Sequence, residues 1–506
     1  MKIRNFILLL IIGFISVSSC SESAKELPKI DRKALVTRHN VQIKQMDTLG
    51  SLTVGNGTFA FTVDATGLQS FPKFYEKGVP LGTQSEWGWH TSFNPHRLQL
   101  GNIGLEISKE DGTLAKPEDL KNISQKLNLW TGKIESNFTI EGAPVKVITY
   151  GDSNKDAIAF KVESPLVQQE RIKVKFRFPY PTNEFADRGA NYWNSDLHET
   201  TVTEASTNTF IFNRTLDNDH YFVTATANTK SKLAKVENHY FTISPISQDG
   251  FEVTVDFSPF KNSSEVSYQE VEKSSKISWD KFWLSGGAID FSDCTDPRAF
   301  ELERRIVLSQ YLTRVQCAGN YPVQETGLTY NSWYGKPHME MYWWHAAHYP
   351  LWGRTPLLEK SMGWYFAAYD NAKLIAERQG YKGVRWQKMT DHEAGEAPSN
   401  VGSFLIWQQP HVIYLAELIY RNNPTKENLK KYQQLIFSTA DFMASFPNYD
   451  AERDRYILGK GVIPAQECFD KLETYNPPFE LAYWKWALQA AQQWRERLGL
   501  NQDPDW

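Results

Sequence analysis

The first half of the chain alternates between hydrophobic and polar positions. From about residue 36 to residue 275, short runs with a period of two are separated by turn residues, as in 51–63, where Asn56-Gly57 stands between two such runs. This dipeptide between alternating runs is a strong hairpin signal. Many short strands joined by polar turns predict a large antiparallel β-sandwich. Comparable runs recur at 145–150, 157–162, 172–178, 210–212, 221–225 and 251–257.

The hydrophobic period changes after residue 275. Asp296-Pro297 has the pattern of a helix N-cap followed by proline at the first helical position, and apolar residues then recur at helical spacing. We therefore expect an α+β chain with a sandwich domain over 36–275, a linker over 276–296 and a helical domain over 297–506. Six helices are predicted in that last domain: one that starts at Pro297 and others over about 337–350, 355–378, 402–421, 425–447 and 477–499.

The N-terminus has the pattern of a secretory signal. Basic residues precede an apolar run over 6–17, which is too short for a comfortable membrane span, and Ser18-Ser19-Cys20 follows. The ending Val17-Ser-Ser-Cys20 resembles the lipobox of bacterial lipoproteins, whose cysteine is acylated after cleavage. We therefore expect a lipoprotein signal peptide over 1–20, a flexible linker over 21–35, and a protein anchored by lipid at the bacterial cell envelope. A plain signal peptide or an uncleaved anchor is the alternative.

Composition excludes some classes of partner. The formal net charge is only -4, so nucleic acid is not expected to bind, while aromatic residues make up 14% of the chain and include 17 Trp. Besides Cys20, the cysteines are Cys294, Cys317 and Cys468, an odd number spaced far apart. A disulfide framework is therefore not expected to hold the fold.

The first cluster of candidate chemistry lies within 330–348. It holds Trp333, His338, Glu340 and His345 among several aromatic residues. Zinc is conceivable because His345 and His348 are three residues apart, but no third ligand stands at metalloprotease spacing, so neither metal nor organic cofactor is expected. Imidazoles, a carboxylate and indoles suit the binding of a sugar, whose hydroxyls need directional partners. Aromatic core packing is the simpler alternative.

Polar loops supply the other clusters. Glu393 and Glu396 lie in a predicted loop, and the alternative is that they are simply charges that face solvent. Glu480 is expected in the first turn of the last helix, where the helix dipole accounts for it. Glu467 has no such explanation, and its apolar neighbours are expected to desolvate it, which would raise its pKa toward that of a general acid.

Taken in order, these segments resemble the six-hairpin glycosidases, and most of all glycoside hydrolase family 65 and its bacterial lipoprotein relatives. The segment 333–344 is similar to that family's Gly-His-x-Phe-Trp-Asp-x-Glu, with Glu340 on its Glu. His338 stands where the family has Asp, which is a departure. Pro464-Ala-Gln-Glu467 resembles the family's Gly-Pro-Asn/Asp-Glu-Tyr, whose Glu is the general acid.

The resemblance implies a fold and a function. The fold is a β-sandwich followed by a catalytic (α/α)6 barrel, of which 297–506 would be the N-terminal half. The function is a glycoside hydrolase that acts on oligosaccharides by an inverting mechanism, with Glu467 as general acid. The residues expected to bind the sugar are Trp333, His338, Glu340, Arg385, Trp386, Glu393, Glu396, Gln409, His411, Tyr475 and Asn476.

Two other functions remain open on these residues. A phosphate-dependent glycoside phosphorylase would need no protein base, and a glycan-binding surface lipoprotein would bind sugar without turnover. Since only six helices follow the sandwich, where a full barrel has twelve, we expect the catalytic base to be missing and an apolar face to be exposed. Such a face predicts self-association or a second chain that completes the barrel.

Overall fold

The computed structural model describes residues 29–187, 189–261 and 266–506. The expected signal peptide, including Cys20, and residues 21–28 of the expected linker lie outside these ranges. Antiparallel sheets form the first part of the described chain, and helices form most of the second.

The strands confirm the period-two alternation. In chain order they are β1 (Val41–Ile43), β2 (Leu52–Gly55), β3 (Phe59–Val63), β4 (Thr83–Ser85), β5 (Trp89–His90), β6 (His96–Arg97), β7 (Asn102–Ile107), β8 (Lys121–Asn128), β9 (Lys133–Ile140), β10 (Ala143–Gly151), β11 (Ala157–Glu163), β12 (Ile172–Arg177), β13 (Ala186–Asp187), β14 (His198–Glu204), β15 (Thr209–Leu216), β16 (Asp219–Ala227), β17 (Ser231–Glu237), β18 (Tyr240–Pro245), β19 (Gly250–Ser258), β20 (Asn331–Ser332), β21 (Asn448–Asp450) and β22 (Arg455–Ile457). Each of the alternating runs recurring between 145 and 257 lies inside one of these strands or overlaps it by all but one residue.

Two antiparallel sheets dominate the sandwich. The larger has the strand order β1-β8-β9-β10-β11-β19-β16-β15-β14, and the smaller has the order β17-β18-β12-β7. In β9 every second residue is buried, as expected of a sheet with one face on the core. The predicted hairpin is present, because β2 pairs with β3 around Asn56-Gly57 and Gly57 has a φ of +97°.

The helices begin earlier than predicted. They are α1 (Arg32–Thr37), α2 (Pro72–Tyr75), α3 (Pro165–Gln168), α4 (Tyr268–Leu284), α5 (Ala299–Cys317), α6 (Met339–Ala346), α7 (His348–Leu351), α8 (Thr355–Ala367), α9 (Tyr369–Arg378), α10 (His411–Asn422), α11 (Lys426–Ser445) and α12 (Pro478–Arg497). The expected boundary at 275/276 lies inside α4, so the first part of the segment expected as a linker is helical. A capping box between Ser267 and Glu270 starts this helix.

Three of the other predicted helices differ in their bounds. The segment 337–350 contains α6 and α7, and the segment 355–378 contains α8 and α9. The helix predicted over 402–421 begins only at His411, because residues 405–410 form a loop that ends at Pro410. A proline disfavours helical conformation in the residue before it, which explains the late start.

The sandwich and the helices share aromatic contacts. The ring of Trp279 in α4 stacks on Tyr311 in α5, with 4.4 Å between their centroids, and the guanidinium of Arg314 lies 3.9 Å from the Trp279 centroid. The Tyr311 hydroxyl donates to the carbonyl of Thr53 in β2, at 3.0 Å. These contacts join α4, α5 and the sandwich.

The later helices have an apolar core of their own, separate from the core of the sandwich. The helix α10 packs against α6, α8, α11 and α12, and most of its residues are buried. Cys294, Cys317 and Cys468 are free thiols. Within the described ranges, every helix is too short or too polar to span a bilayer.

Candidate active site

Two loops pair at the centre of the candidate site. The Met339 amide donates to the carbonyl of Lys388 at 2.7 Å, and the Thr390 amide donates to the carbonyl of Pro337 at 3.1 Å. This short antiparallel contact places the start of α6 beside the segment 385–390, all of which is buried. Glu340 and Lys388 therefore meet, although 48 positions separate them.

The ammonium group of Lys388 connects two carboxylates. Its Nζ lies 3.1 Å from Glu340 Oε1 and forms a short ion pair with Glu467. It also lies 4.7 Å from the centroid of the Trp333 ring, a cation–π distance. Only 2% of the Lys388 side chain is exposed, so a buried cation holds three separate segments of the chain together.

Glu340 accepts hydrogen bonds from three directions. His338 Nε2 donates to Oε1 at 2.7 Å, beside Lys388, and Trp407 Nε1 donates to Oε2 at 3.2 Å. Burial acts to raise the pKa of Glu340, but the hydrogen bond and charge of His338 and the charge of Lys388 outweigh it, so the net pKa lies below its ordinary value. Glu340 is therefore a fixed negative charge at the site.

Glu467 is not desolvated as expected. A third of its side chain is exposed, and the neighbouring Cys468 and Phe469 point away from the core, with Phe469 61% exposed. The Glu467 amide donates to the carbonyl of Pro464 at 2.8 Å, which closes a tight turn. The expectation failed because adjacent apolar residues desolvate a side chain only if the fold buries them around it.

Glu480 is the carboxyl group that burial does affect. It lies in the first turn of α12 as predicted, but it is fully buried, its Oε1 accepts the Ala465 amide at 2.7 Å, and its Oε2 has no partner. Burial raises its pKa. Helix-dipole stabilisation alone therefore does not describe Glu480, which supports the turn that carries Glu467.

Three residues at or next to the Lys388 cluster have a strained backbone. Trp333, Tyr334 and Glu467 are non-glycine residues with left-handed φ values of 50°, 62° and 56°. Each such conformation costs on the order of 1 to 3 kcal/mol and persists only where the surrounding structure enforces it. Two of these residues, Trp333 and Glu467, contact Lys388 directly.

The sandwich contributes one wall of the site. Strand β13 pairs with β20, with Ala186 opposite Ser332. This pairing brings the ring of Phe185 to 4.5 Å from the ring of Trp333, and the Tyr334 amide donates to the Phe185 carbonyl at 2.9 Å. A loop of the first domain thus supports the aromatic residue beside Lys388.

An aromatic groove adjoins the polar cluster. His411 belongs to both, because its Nε2 donates to the Glu340 carbonyl at 3.3 Å and its Nδ1 accepts from the Tyr483 hydroxyl at 3.0 Å. Trp344 and Phe479 in this groove are 58% and 46% exposed. The groove encloses about 500 Å³ and is lined by Trp343, Trp344, Trp407, His411, Tyr414, Phe479, Ala482, Tyr483 and Trp486.

Three expected sugar-binding residues have structural contacts instead. Arg385 donates to Gln379 Oε1 at 2.8 Å and to the carbonyl of Ser403. Trp386 is buried, and its Nε1 donates to Thr439 Oγ1 at 3.0 Å. Gln409 is buried and donates to the carbonyl of Val384, at 2.7 Å. None of the three forms a hydrogen bond or ion pair with Glu340, Lys388 or Glu467, so they support the loops that carry the site.

Four further candidates form no hydrogen bond or ion pair with Glu340, Lys388 or Glu467. Glu396 pairs with Arg378 and accepts the side-chain amide of Gln387, one residue before Lys388, at 3.0 Å, and the side chain of Glu393 is 77% exposed. Tyr475 is 49% exposed, and Asn476 Oδ1 accepts the amide of Leu458 at 2.9 Å. The structure therefore brings together five of the expected site residues, which are Trp333, His338, Glu340, His411 and Glu467. Glu393, Glu396, Tyr475 and Asn476 form no hydrogen bond or ion pair with this group.

The histidines that could suggest zinc bind backbone carbonyls. His345 Nε2 donates to the carbonyl of Glu325 at 3.1 Å, and His348 Nε2 donates to that of His345 at 3.0 Å. In the part of the chain that the structure describes, no group of three or more His, Cys, Asp or Glu residues could hold a metal ion.

Sequence reasoning missed Lys388 and Trp407. A lysine directly between buried positions such as Trp386 and Met389 was the available signal, because lysine is rarely fully buried unless it is paired. Trp407 belonged to a segment predicted as helix, whereas it lies in the loop before α10 and donates to Glu340.

The arrangement can bind a polar, uncharged molecule next to an ionisable carboxylate. Glu340 offers a charged acceptor, Lys388 a charged donor and Trp333 a ring face, all within one small volume. Glu467 stands at the exposed side of this volume, where it can exchange protons with solvent.

Solved structures share this fold at low sequence identity. A protein provisionally assigned as a kojibiose phosphorylase, from the human microbiome, aligns with a TM-score of 0.69 and 12% identity over 92% of this chain and 67% of that one. A bacterial glucoamylase in complex with acarbose aligns with a TM-score of 0.55 and 11% identity over 90% of this chain and 65% of that one. The chain thus spans about two thirds of the length of these neighbours.

These likenesses establish the fold. The chain shares the fold of these neighbours, an antiparallel β-sandwich followed by a helical region of the (α/α)6 type, as expected from the sequence. No protein-family model matches the sequence, and no curated protein matches it either.

His411 makes the stability of the protein depend on pH. Burial lowers its pKa to about 4, whereas in the unfolded chain a histidine has a pKa of about 6.5. Between these values the unfolded state binds a proton that the folded state does not, so the free energy of unfolding falls as the pH is lowered. The slope that His411 contributes is about 1.4 kcal/mol per pH unit.

Urea unfolding of wild type and His411→Gln at a series of pH values from neutral to acidic checks this expectation. In His411→Gln the free energy of unfolding should depend less on pH, because the contribution of His411 is lost. The control His220→Gln, at an exposed histidine, should show the wild-type pH dependence. An unchanged slope in His411→Gln would show that His411 takes up its proton in the folded protein.

Proposed function

We propose that this protein is a carbohydrate-active enzyme that cleaves a glycosidic bond of an oligosaccharide, with Glu467 as the proton donor. The observation that carries the proposal is the buried Lys388 ammonium between Glu340 and Glu467, beside Trp333. The neighbours in fold support it, because one is a glucoamylase in complex with acarbose.

Glu340, His338 and Lys388 are proposed to bind the hydroxyl groups of one sugar ring. A charged acceptor and a charged donor side by side suit vicinal hydroxyls, each of which both donates and accepts. Trp333 offers the flat surface against which the C–H face of a ring can pack. His338 and Trp407 already hold the Glu340 carboxylate in place, so this acceptor is preorganised for a sugar.

Glu467 needs a proton before it can act as a general acid. In the structure it forms an ion pair with Lys388, in which the carboxylate is charged. We propose that bound sugar hydroxyls take over the hydrogen bonds of Lys388, which releases Glu467 to take up a proton from solvent. That proton then passes to the glycosidic oxygen as the bond to the leaving sugar breaks.

The finer proposal is hydrolysis with inversion. This route needs a second carboxylate that activates water on the opposite side of the sugar, about 6.5–9.5 Å from the acid. Glu340 is held by His338, Lys388 and Trp407, so it fits sugar binding better than the role of base.

Phosphorolysis is the second candidate reaction. Inorganic phosphate would replace water, and no protein base would be required. The likeness to the protein assigned as a kojibiose phosphorylase favours it, and the charge of Lys388 could help to hold phosphate. The two reactions differ in their product, which is a free sugar in one case and a sugar phosphate in the other.

The substitution Glu467→Gln tests the role of Glu467. It keeps the shape of the side chain but removes the transferable proton, so turnover of an unactivated oligosaccharide should fall by about 10² or more. Chromatography of products formed with and without phosphate measures the turnover and separates the two reactions. The control is Glu473→Gln, at an exposed carboxylate of the same loop, which should retain wild-type turnover.

A wild-type rate in Glu467→Gln would assign the proton to another group. Binding of sugar without any turnover by the wild-type chain would instead favour a glycan-binding protein.

We also propose that Cys20 is acylated and anchors the protein at the cell envelope. The lipobox-like ending Val17-Ser-Ser-Cys20 supports the proposal. Cys20→Ser should move the protein from the membrane fraction to the soluble fraction, because the acyl chains would be the anchor. Retention of the variant in the membrane fraction would point to an uncleaved anchor.

The aromatic groove is proposed to mediate association with a second copy of the chain or with another polypeptide. Its Trp344 and Phe479 side chains support the proposal, because they are 58% and 46% exposed in a groove lined by aromatic residues, and aromatic residues are enriched at protein interfaces. Light scattering after size-exclusion chromatography should show a dimer or larger species, and Trp344→Ser should shift it toward the monomer. A wild-type chain that remains monomeric at high concentration would contradict self-association.

A further inference from the structure

A second cavity lies on the sandwich side of the candidate site. It encloses about 560 Å³, a volume within the range of small-molecule sites in proteins. The loop between β12 and β14 forms most of it, and the segment before β20 closes it. Its lining includes Glu76, Tyr180, Asn183, Glu184, Trp193 and Tyr330.

The loop that forms this cavity is held in shape by its own hydrogen bonds. Tyr180 and Asn191 exchange backbone hydrogen bonds at 2.9 and 2.8 Å, and the buried Asn191 side chain donates to the carbonyl of Pro181 at 2.9 Å. The same side chain accepts the amide of Asn194 at 3.1 Å. The walls of the cavity are therefore formed before any ligand arrives.

The lining combines an exposed indole with uncharged and acidic polar groups. Trp193 is 75% exposed, although tryptophan is highly buried on average. Asn183 and Asn194 offer amide donors and acceptors, and the lining residues that the structure describes include no lysine or arginine. A flat ring beside amide and carboxylate groups suits an uncharged molecule that has many hydroxyl groups.

The cavity and the candidate active site share one structural connection. Glu184 and Ala186 line the cavity, and Phe185 between them packs on Trp333 beside Lys388. Tyr330 also lines the cavity and precedes Trp333 by three residues, a span of about 10 Å in extended chain. One extended ligand could therefore reach both places along the β13–β20 pair.

We propose that this cavity, which we call the Trp193 cavity, binds a distal part of an uncharged oligosaccharide whose other end occupies the site at Glu340 and Lys388. The inference rests on the proposed function for the identity of the ligand as a sugar. It adds that the substrate is a chain of several sugar units. The Trp193 cavity would then set the preferred length of the substrate.

Binding of neutral oligosaccharides of increasing length tests the proposal. The probes are α-linked gluco- and manno-oligosaccharides from disaccharide to hexasaccharide, titrated calorimetrically into the full chain carrying Glu467→Gln, so that no probe is consumed. Trp193→Ala in this background should weaken hexasaccharide binding roughly fivefold or more, through loss of the ring contact, and should leave disaccharide binding unchanged. The matched control is Phe260→Ala, because Phe260 is also 75% exposed but does not line the cavity.

The outcomes separate this inference from the proposed function. Length-dependent binding that Trp193→Ala abolishes supports the cavity, even if wild-type protein cleaves none of the probes. If the wild-type protein cleaves oligosaccharides but Trp193→Ala binds the hexasaccharide as tightly as its parent does, the inference fails and the proposed function stands. A parent that binds the hexasaccharide of neither series more tightly than the disaccharide also overturns the inference. So does a stronger effect of Trp193→Ala on a cationic glucosamine oligosaccharide than on the neutral ones.

Discussion

The buried ammonium group of Lys388 is the interaction on which the rest of the site depends. A cation with 2% of its side chain exposed is stable only with charged or polar partners, and Lys388 has Glu340, Glu467 and the face of Trp333. Without it, Glu340 and Glu467 would face each other with no positive charge between them. The ion pairs therefore fix how the segments around 340, 388 and 467 meet.

Both domains position the segments that meet at Lys388. The helix α10 forms the centre of the helical core, and the loop before it supplies Trp407 to Glu340. The sandwich supplies Phe185 behind Trp333 through the β13–β20 pair. The sandwich is thus a part of the site as well as a neighbour of the helical domain, and the strained backbone at Trp333 is enforced from both sides.

Hydrophobic periodicity was sufficient to predict the architecture. Alternation indicated the strands of the sandwich, and helical spacing indicated the helices from α5 onward. It missed α4, although the buried Tyr268, Val271, Trp279 and Phe282 recur there at helical spacing, because the boundary between the two patterns was placed inside this helix. It also extended α10 too far toward the N-terminus, because apolar residues before Pro410 fitted either a loop or a helix.

The site was predicted less well, for a physical reason. The surroundings of a side chain come from residues distant in sequence, so the apolar neighbours of Glu467 did not bury it, whereas Glu480 became buried behind the same turn. The apolar neighbours of Lys388 were the only local signal for it, since its two partners stand 48 positions before it and 79 positions after it. Motif order selected Trp333, His338, Glu340, His411 and Glu467, which the structure brings together, and also Arg385, Trp386 and Gln409, whose hydrogen bonds lie within the supporting loops.

The most direct test is a crystal structure of the Glu467→Gln variant soaked with an oligosaccharide that the protein binds. We expect one sugar ring beside Trp333, with its hydroxyl groups on Glu340 and Lys388 and its glycosidic oxygen within hydrogen-bonding distance of residue 467. A sugar bound elsewhere, with the cluster around Lys388 empty and unchanged, would contradict the assignment of this cluster as the active site.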